Sequence, residues 1–198
     1  MENLVGTTLL NRYNVQKFLG RGGMAEVYKV WDSQRTTYLA MKVLYEDLAI
    51  DRVFMRRFKR EADTLAKLQH PNIVRFYGFE KEGRTAFILM DYVEGITLKH
   101  LIHDSDGVSI PNGQIRVIMR AVCQSLHYAH NQNLTHCDIK PANVMIDNKG
   151  EIKLADFGIA RVSDVATATM VGAGTPAYMA PEQVRGEDPT PKTDIYAL

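Results

Sequence analysis

From Tyr13 to Leu44 the chain alternates apolar or aromatic with polar positions in "YNVQKFLG", "EVYKVWD" and "TTYLAMKVL". A period of two in β-branched and aromatic residues predicts strands. Gly20, Gly22 and Gly23 punctuate the first pair and "DSQRT" at 32–36 the second, so three antiparallel strands follow. The period then changes: Phe54, Phe58, Ala62, Leu65 and Leu68 recur at helical intervals over 51–69, with Arg56, Arg57, Lys59 and Arg60 largely on the other faces. This predicts a helix packed on the sheet. "HPN" at 70–72 ends it, and "IVRFYGFE" and "TAFILMDYV" read as two more strands.

After Gly95 helical spacing takes over, first in "TLKHLIH" at 97–103, then over about 112–131, where Ile115, Ile118, Met119, Val122, Leu126 and Ala129 form one apolar face. Short strands at 144–146 and 152–154 flank the turn "DNKG", and 156–182 reads as a long irregular connection, a kind that is usually functional or disordered. The layout is α+β: a sheet-rich half, 1–93, and a helix-rich half, 94–198, that stops inside the apolar-patterned "KTDIYAL" without a cap or polar tail.

Composition narrows the function classes. Apolar residues are 45% and charged residues 24% of the 198, which is ordinary for a folded globular protein. A net charge of +1 gives no global field for nucleic acid or an anionic membrane, so phosphate binding must come from local placement. Cys123 and Cys137 are too few for a disulfide framework and lack zinc-like spacing, which fits a reducing compartment. No stretch approaches the roughly 20 apolar residues of a membrane helix, and the N-terminus lacks a signal-peptide pattern. The expectation is a cytoplasmic chain.

Four segments carry candidate chemistry. In "LGRGGMAEVYKV", Gly20, Gly22 and Ala25 form a G-x-G-x-x-A pattern between two strands, where bare backbone N–H groups can approach phosphate oxygens. A Gly-rich hairpin is also a common structural turn, and the strand that follows excludes a dinucleotide-binding βαβ unit. Lys42 ends "LAMK" on the third strand, and Glu61 sits among the apolar helix positions, where a carboxylate needs a cationic partner. Lys42 is the natural one. In "HCDIKPANVMID", Asp138 can accept a hydroxyl proton, Lys140 can neutralise a transferring phosphoryl group, and Asn143 can ligate a hard metal ion. Asp156 in "LADFGIA" would supply a second oxygen ligand. Alone, each reads equally as a cap, turn or solvated side chain; together they do not.

In this order the motifs "GRGGMAEV", "LAMK", "HCDIKPAN", "DFG" and "APE" resemble the signature set of the Hanks-type protein Ser/Thr kinases, in wording closest to bacterial members, from about residue 13 to the end. The resemblance implies a bilobal kinase fold: a five-stranded antiparallel N-lobe sheet with one main helix, and a mainly helical C-lobe incomplete at its C-terminus. It implies that Leu19, Gly20, Gly22, Gly23, Ala25 and Val27 cover ATP, that Lys42 contacts the α and β phosphates while paired with Glu61, and that Asn143 and Asp156 hold Mg2+, with Mn2+ as a substitute. Asp138 would position and deprotonate the substrate hydroxyl beside Lys140 and Thr175. Met90 would be the gatekeeper, Asp91 to Val93 the hinge on the adenine edge, and Val27, Ala40 and Met145 the walls of the ring. Leu65, Phe76, His136 and Phe157 resemble the family's stack of packed side chains. "KPAN" and "GTPAYMAPE" resemble Ser/Thr rather than Tyr kinases. The partners implied are protein substrates with Ser or Thr acceptors, and a second copy for autophosphorylation at Thr167 or Thr169.

The chain departs from the pattern in places. Ala25 replaces the third Gly and Met41 the usual branched residue, both mild changes. Cys137 replaces the arginine that commonly pairs with a phosphorylated loop residue, and a neutral thiol cannot make that charge-assisted bond. Activity should then depend less on loop phosphorylation. Asp194 resembles the residue that braces the catalytic loop from the C-lobe's central helix, and the chain stops after that helix's first turn. A piece ending there should be weakly stable, with Glu182 deprived of its usual arginine, and a non-catalytic nucleotide-binding or interaction module is the competing reading. The paired histidines His100 and His103, and His127 and His130, have i, i+3 spacing but no third ligand for a metal.

Overall fold

In the computed structural model, which describes residues 4–105, 109–157 and 176–198, the strand patterns assemble into antiparallel ladders. Two compact units form: one holds residues up to Lys67 together with Arg75–Tyr92, the other Leu68–Val74 and Val93–Leu198.

The first unit is a six-stranded sheet in the order β1-β2-β3-β4-β6-β5, built from β1 (Thr8–Leu9), β2 (Tyr13–Arg21), β3 (Ala25–Asp32), β4 (Thr37–Leu44), β5 (Phe76–Glu82) and β6 (Thr85–Asp91). The expected count of five omits β1, which pairs Thr8 and Leu9 with Asn14 and Tyr13. Two residues carry no alternation to read, and the turn after them needs left-handed backbone at Leu10 and Asn11 (φ 51° and 49°). Because side chains alternate, one face of the sheet gathers Tyr13, Val15, Tyr28, Val30, Leu39, Met41, Val43, Phe87 and Leu89 into a core. The other face carries α2 (Arg52–Leu65), which buries Phe54, Phe58, Ala62 and Leu65. Its first turn is capped by Asp51, whose Oδ1 accepts from the Val53 and Phe54 N–H groups at 2.8 and 3.0 Å. A short helix, α1 (Glu46–Ile50), precedes it and has no counterpart in the periodicity.

In the second unit β7 (Gly95–Thr97), β8 (Val144–Asp147) and β9 (Ile152–Leu154) form a small sheet beside α3 (Leu98–Asp104) and α4 (Asn112–Asn131). Gly95 is required where β7 crosses β8, since a Cβ there would meet the Ile146 carbonyl at 2.0 Å. Helix α4 has the expected span, but its buried stripe is Ile118, Ala121, Val122, Ser125, Leu126 and Ala129, and Ile115 is exposed near the N-terminal end. Residues 68–74, which the sequence assigns partly to a strand, belong to this unit: Asn72 Nδ2 donates to the Ile152 carbonyl at 2.8 Å, and Ser125 Oγ donates to the Asn72 carbonyl at 2.9 Å. Two short helices follow the interval 158–175, α5 (Pro181–Val184) and α6 (Pro191–Tyr196). Among the described residues no helix is long and apolar enough to cross a membrane.

Candidate active site

The glycine-rich hairpin joins β2 to β3, and its turn is closed by the Gly22 N–H on the Ala25 carbonyl at 2.8 Å. Gly20 lies opposite Val27, and nothing lies within 4 Å of where a Cβ on Gly20 would point. That open space over bare backbone fits an approaching phosphate. Leu19 is partly exposed on β2 just before the turn, and Gly23 and Ala25 complete the loop. Side chains brace the hairpin. Arg21 Nη2 donates to Glu26 Oε1 at 2.6 Å and Tyr28 Oη donates to Glu26 Oε2 at 2.6 Å. The Tyr28 hydroxyl, with Arg21 beside it, holds the buried Glu26 carboxyl below the usual range despite its burial. Tyr45 Oη donates to the Gly22 carbonyl at 2.8 Å.

Cross-strand register places the other first-unit residues. Val27, Lys42, Ile88 and Phe79 are mutually opposite on β3, β4, β6 and β5, so they share one face. That is the α2 face, since the Phe79 ring meets the Phe58 ring edge-on at 6.0 Å. Lys42 therefore faces the side of the helix that bears Glu61, three residues beyond Phe58 and partly buried. The next row holds Lys29, Ala40 and Met90, with Asp91 closing β6.

The second unit collects Asp138, Lys140, Asn143, Met145 and Asp156 on two adjoining segments. Lys140 Nζ lies 2.7 Å from Asp138 Oδ2. Asn143 Nδ2 donates to both the Asp138 carbonyl and Oδ2, at 2.8 and 2.9 Å. With both amide hydrogens used on Asp138, the Asn143 Oδ1 is the atom that suits a cation. The Ala155 N–H donates to the Asn143 carbonyl at 2.8 Å, which puts Asp156 one residue away, in left-handed backbone (φ 59°). Met145 lies opposite Thr97 and Lys153 in the small sheet. Val93 is buried at the start of this unit's main segment.

Buried polar groups hold this loop in shape. Asp194, at the start of α6, accepts from the His136 N–H (2.8 Å), the Cys137 N–H (2.8 Å) and His130 Nε2 (2.7 Å). His136 Nε2 donates to the Ala155 carbonyl at 2.8 Å, while its Nδ1 accepts from the Asp138 N–H at 3.2 Å. That pattern needs the neutral ring, and burial indeed pushes the His136 pKa down, against the carboxylates of Asp194, Asp138 and Asp156. Its ring lies 4.5 Å from that of Phe157. Cys137 itself has φ 67°, a conformation uncommon outside glycine. The Asp194 bond to its N–H and the Gln183 Nε2 bond to its carbonyl (2.8 Å) hold it there. Glu182 accepts from Thr193 Oγ1 at 2.6 Å, which lowers its pKa and gives it a partner the sequence did not suggest.

His130, Gln183 and Tyr45 were not legible as site supports, because each acts through backbone or a partner distant in sequence, and the Arg21–Glu26–Tyr28 cluster was not, because its members meet only across the β2–β3 hairpin. Thr175, Thr167 and Thr169 lie outside the described residues. Among those described, no group of three or more His, Cys, Asp and Glu is placed to hold a metal by itself. Asn143 and Asp156 are side chains here whose oxygens could hold a cation.

The protein kinase domain family profile matches residues 13–198. The chain is 41% identical over 197 residues to the serine/threonine-protein kinase PrkC of Bacillus subtilis, covering 98% of this chain and 30% of that protein. It is also 41% identical over 198 residues to the serine/threonine-protein kinase PknB of Mycobacterium tuberculosis, covering 96% and 31%. It therefore spans about 30% of the length of these curated relatives. Among solved structures, that of the Mycobacterium tuberculosis PknI kinase domain superposes with a TM-score of 0.81 at 35% identity, over 98% of this chain and 74% of that one.

Proposed function

The chain belongs to the protein kinase domain family, and on that premise we propose that it is the catalytic part of a protein serine/threonine kinase that transfers the γ-phosphate of ATP, with Mg2+ or Mn2+, to protein hydroxyls. The observation that carries this reading is the Asp138 carboxylate, which is braced by Asn143 Nδ2 at 2.9 Å and Lys140 Nζ at 2.7 Å on a loop tied down by Asp194. A carboxylate so placed can orient an acceptor hydroxyl and take its proton, and Lys140 beside it can neutralise charge on the transferring group. The open backbone at Gly20 would admit the phosphates, and Lys42 would contact the α and β phosphates while paired with Glu61. Leu19, Val27, Ala40, Met90 and Met145 would line the base, with Asp91 and Val93 giving backbone to its edge. Asn143 and Asp156 would hold the cation, which supplies charge neutralisation on the phosphate oxygens when bound.

The substrates are protein segments bearing Ser or Thr, and Thr175 is proposed as a further catalytic residue from its place in the motif. Thr167 and Thr169 are the proposed autophosphorylation sites, reached in a second copy, and the protein works in the cytoplasm. Transfer of labelled γ-phosphate to a generic protein acceptor tests this. Asp138→Asn should lower kcat by roughly 10²- to 10⁴-fold while leaving nucleotide binding in place. Transfer undiminished in Asp138→Asn would refute it.

A further inference from the structure

We propose that Tyr77 is a positioning residue for the nucleotide, acting through Asp91 to fix the backbone on which the base edge rests. This builds on the reading of Asp91 to Val93 as the adenine-binding segment.

Tyr77 sits at a register irregularity in β5, between the pairs Phe76–Met90 and Gly78–Leu89. Such a bulge re-aims a side chain, and here the Tyr77 hydroxyl donates to Asp91 Oδ1 at 2.6 Å. The other carboxylate oxygen accepts weakly from the Arg75 N–H at 3.4 Å, and the Asp91 N–H donates to the Arg75 carbonyl at 2.9 Å. Both ends of Asp91 are thus committed to the β5 edge. Two cations clasp the ring that makes this bond: the Arg35 and Arg75 guanidinium carbons lie 4.5 and 5.5 Å from the Tyr77 centroid. Burial and the Asp91 carboxylate push the Tyr77 phenol up to about 12, so the hydroxyl stays a donor at any working pH.

The following residue is held from the other side. Asp91 lies opposite Leu39, on the core face, and alternation turns Tyr92 the other way. There Lys29 Nζ stands 4.4 Å from the Tyr92 ring and 4.1 Å from the Tyr38 ring, in the same cross-strand row as Ala40 and Met90. The β4–β6 ladder ends at Asp91, so beyond its pairing with Leu39 and the backbone bond to Arg75, these side-chain tethers hold the backbone as it leaves the strand. Tyr77 is partly buried, with its ring packed against the sheet core, so Tyr77→Phe keeps that packing and removes only the hydroxyl. What its hydroxyl controls is the freedom of Asp91.

The test is steady-state kinetics of the full-length protein with ATP and with purine riboside triphosphate, which lacks the 6-amino group. Tyr77→Phe keeps the ring and its cations and removes the donor. It should raise the KM for ATP roughly five- to tenfold with kcat within about twofold, and shrink the wild-type preference for ATP over the des-amino nucleotide. Asp91→Ala should act alike, with the double variant no worse than the worse single, because both remove one bond. If Tyr77→Phe melts early, Asp91→Asn, which keeps an acceptor without charge, must give an intermediate KM. An unchanged KM, or a fall in kcat alone, overturns the proposal while the adenine reading stands. A wild type indifferent to the 6-amino group overturns the adenine reading and the proposal with it.

Discussion

The sheet of the first unit and the loop around Asp138 in the second are ordered by different means. In the sheet the buried residues are almost all apolar, and of the eight buried polar or charged residues among those described only Glu26 and Asp32 belong to that unit. Ser125, Thr135, His136, Asn143, Thr193 and Asp194 belong to the other. Apolar burial is non-directional, so a sheet tolerates change in any one contact at a cost in stability alone. Hydrogen bonds to a buried carboxylate are directional, and removing one end leaves orphaned amides and a misplaced loop. The lesson is that stability and catalytic geometry should separate by region.

The sharpest way to break this contrast is Asp194→Ala. It strands the His136 and Cys137 N–H groups, and should cost about 4 kcal/mol in denaturant unfolding. Turnover in the fraction still folded should also fall, by on the order of a hundredfold. If kcat survives, the polar frame is only packing by another name. Met41→Ala in the sheet core, where Met41 is fully buried, should cost about 3 kcal/mol. Here kcat measured well below the melting temperature should stay within about twofold, and a large drop would erase the contrast from the other side.

A smaller effect comes from acid. The folded His136 pKa lies below the ordinary 6.5 because burial disfavours the imidazolium. The unfolded chain therefore binds the extra proton first. Stability from this group is present in full above about 6.5 and falls as pH drops toward the folded pKa, by roughly 1 kcal/mol per pH unit. Unfolding curves between pH 7.5 and 5.5 should show that slope, and His136→Phe should flatten it. Asp32 shifts the same way for another reason, since its carboxyl is held low by Arg12 at 2.7 Å. Its contribution is lost only as pH falls below the ordinary carboxylate range.

The smallest expected effect is Cys137→Arg. Asp194 and Gln183 engage the backbone of Cys137, while its thiol makes a long bond to the nearby Thr135 carbonyl, so basal turnover of the unphosphorylated protein should change by less than about twofold. Turnover should instead become responsive to loop phosphorylation, since an arginine can pair with a phosphate. If wild-type turnover already rises strongly on phosphorylation, the thiol is not a lost phosphate sensor.

Much of the molecule was legible in advance, for identifiable reasons. Alternation over β2, β3 and β4 and the stripe Phe54, Phe58, Ala62, Leu65 on α2 are repeated signals, so errors average out. The motif residues stood out because a phosphate, a proton and a cation each demand particular groups at fixed spacing, and the structure brings Asp138, Lys140 and Asn143 within bonding distance. The two-residue β1 and the five-residue α1 were not legible, because each is too short for its period to repeat, and the membership of residues 68–74 was not, because tertiary bonds such as those of Asn72 decide it. Ile115 was misplaced because its position near the start of α4 leaves it exposed, although its spacing fits the stripe.

The sequence by itself determined the family, the alternating sheet, the main helices and which side chains are proposed to carry the chemistry. Those follow from local period and residue type. Only the tertiary structure decided how that chemistry is held: three bonds on Asp194, a neutral His136 between Asp138 and Ala155, Glu26 between Arg21 and Tyr28, and Tyr77 on Asp91. A buried polar atom must be satisfied by whatever the fold brings near it. Several of those partners lie dozens of residues away, and even near ones such as Tyr77 and Asp91 meet only through the irregularity in β5, which local spacing does not encode.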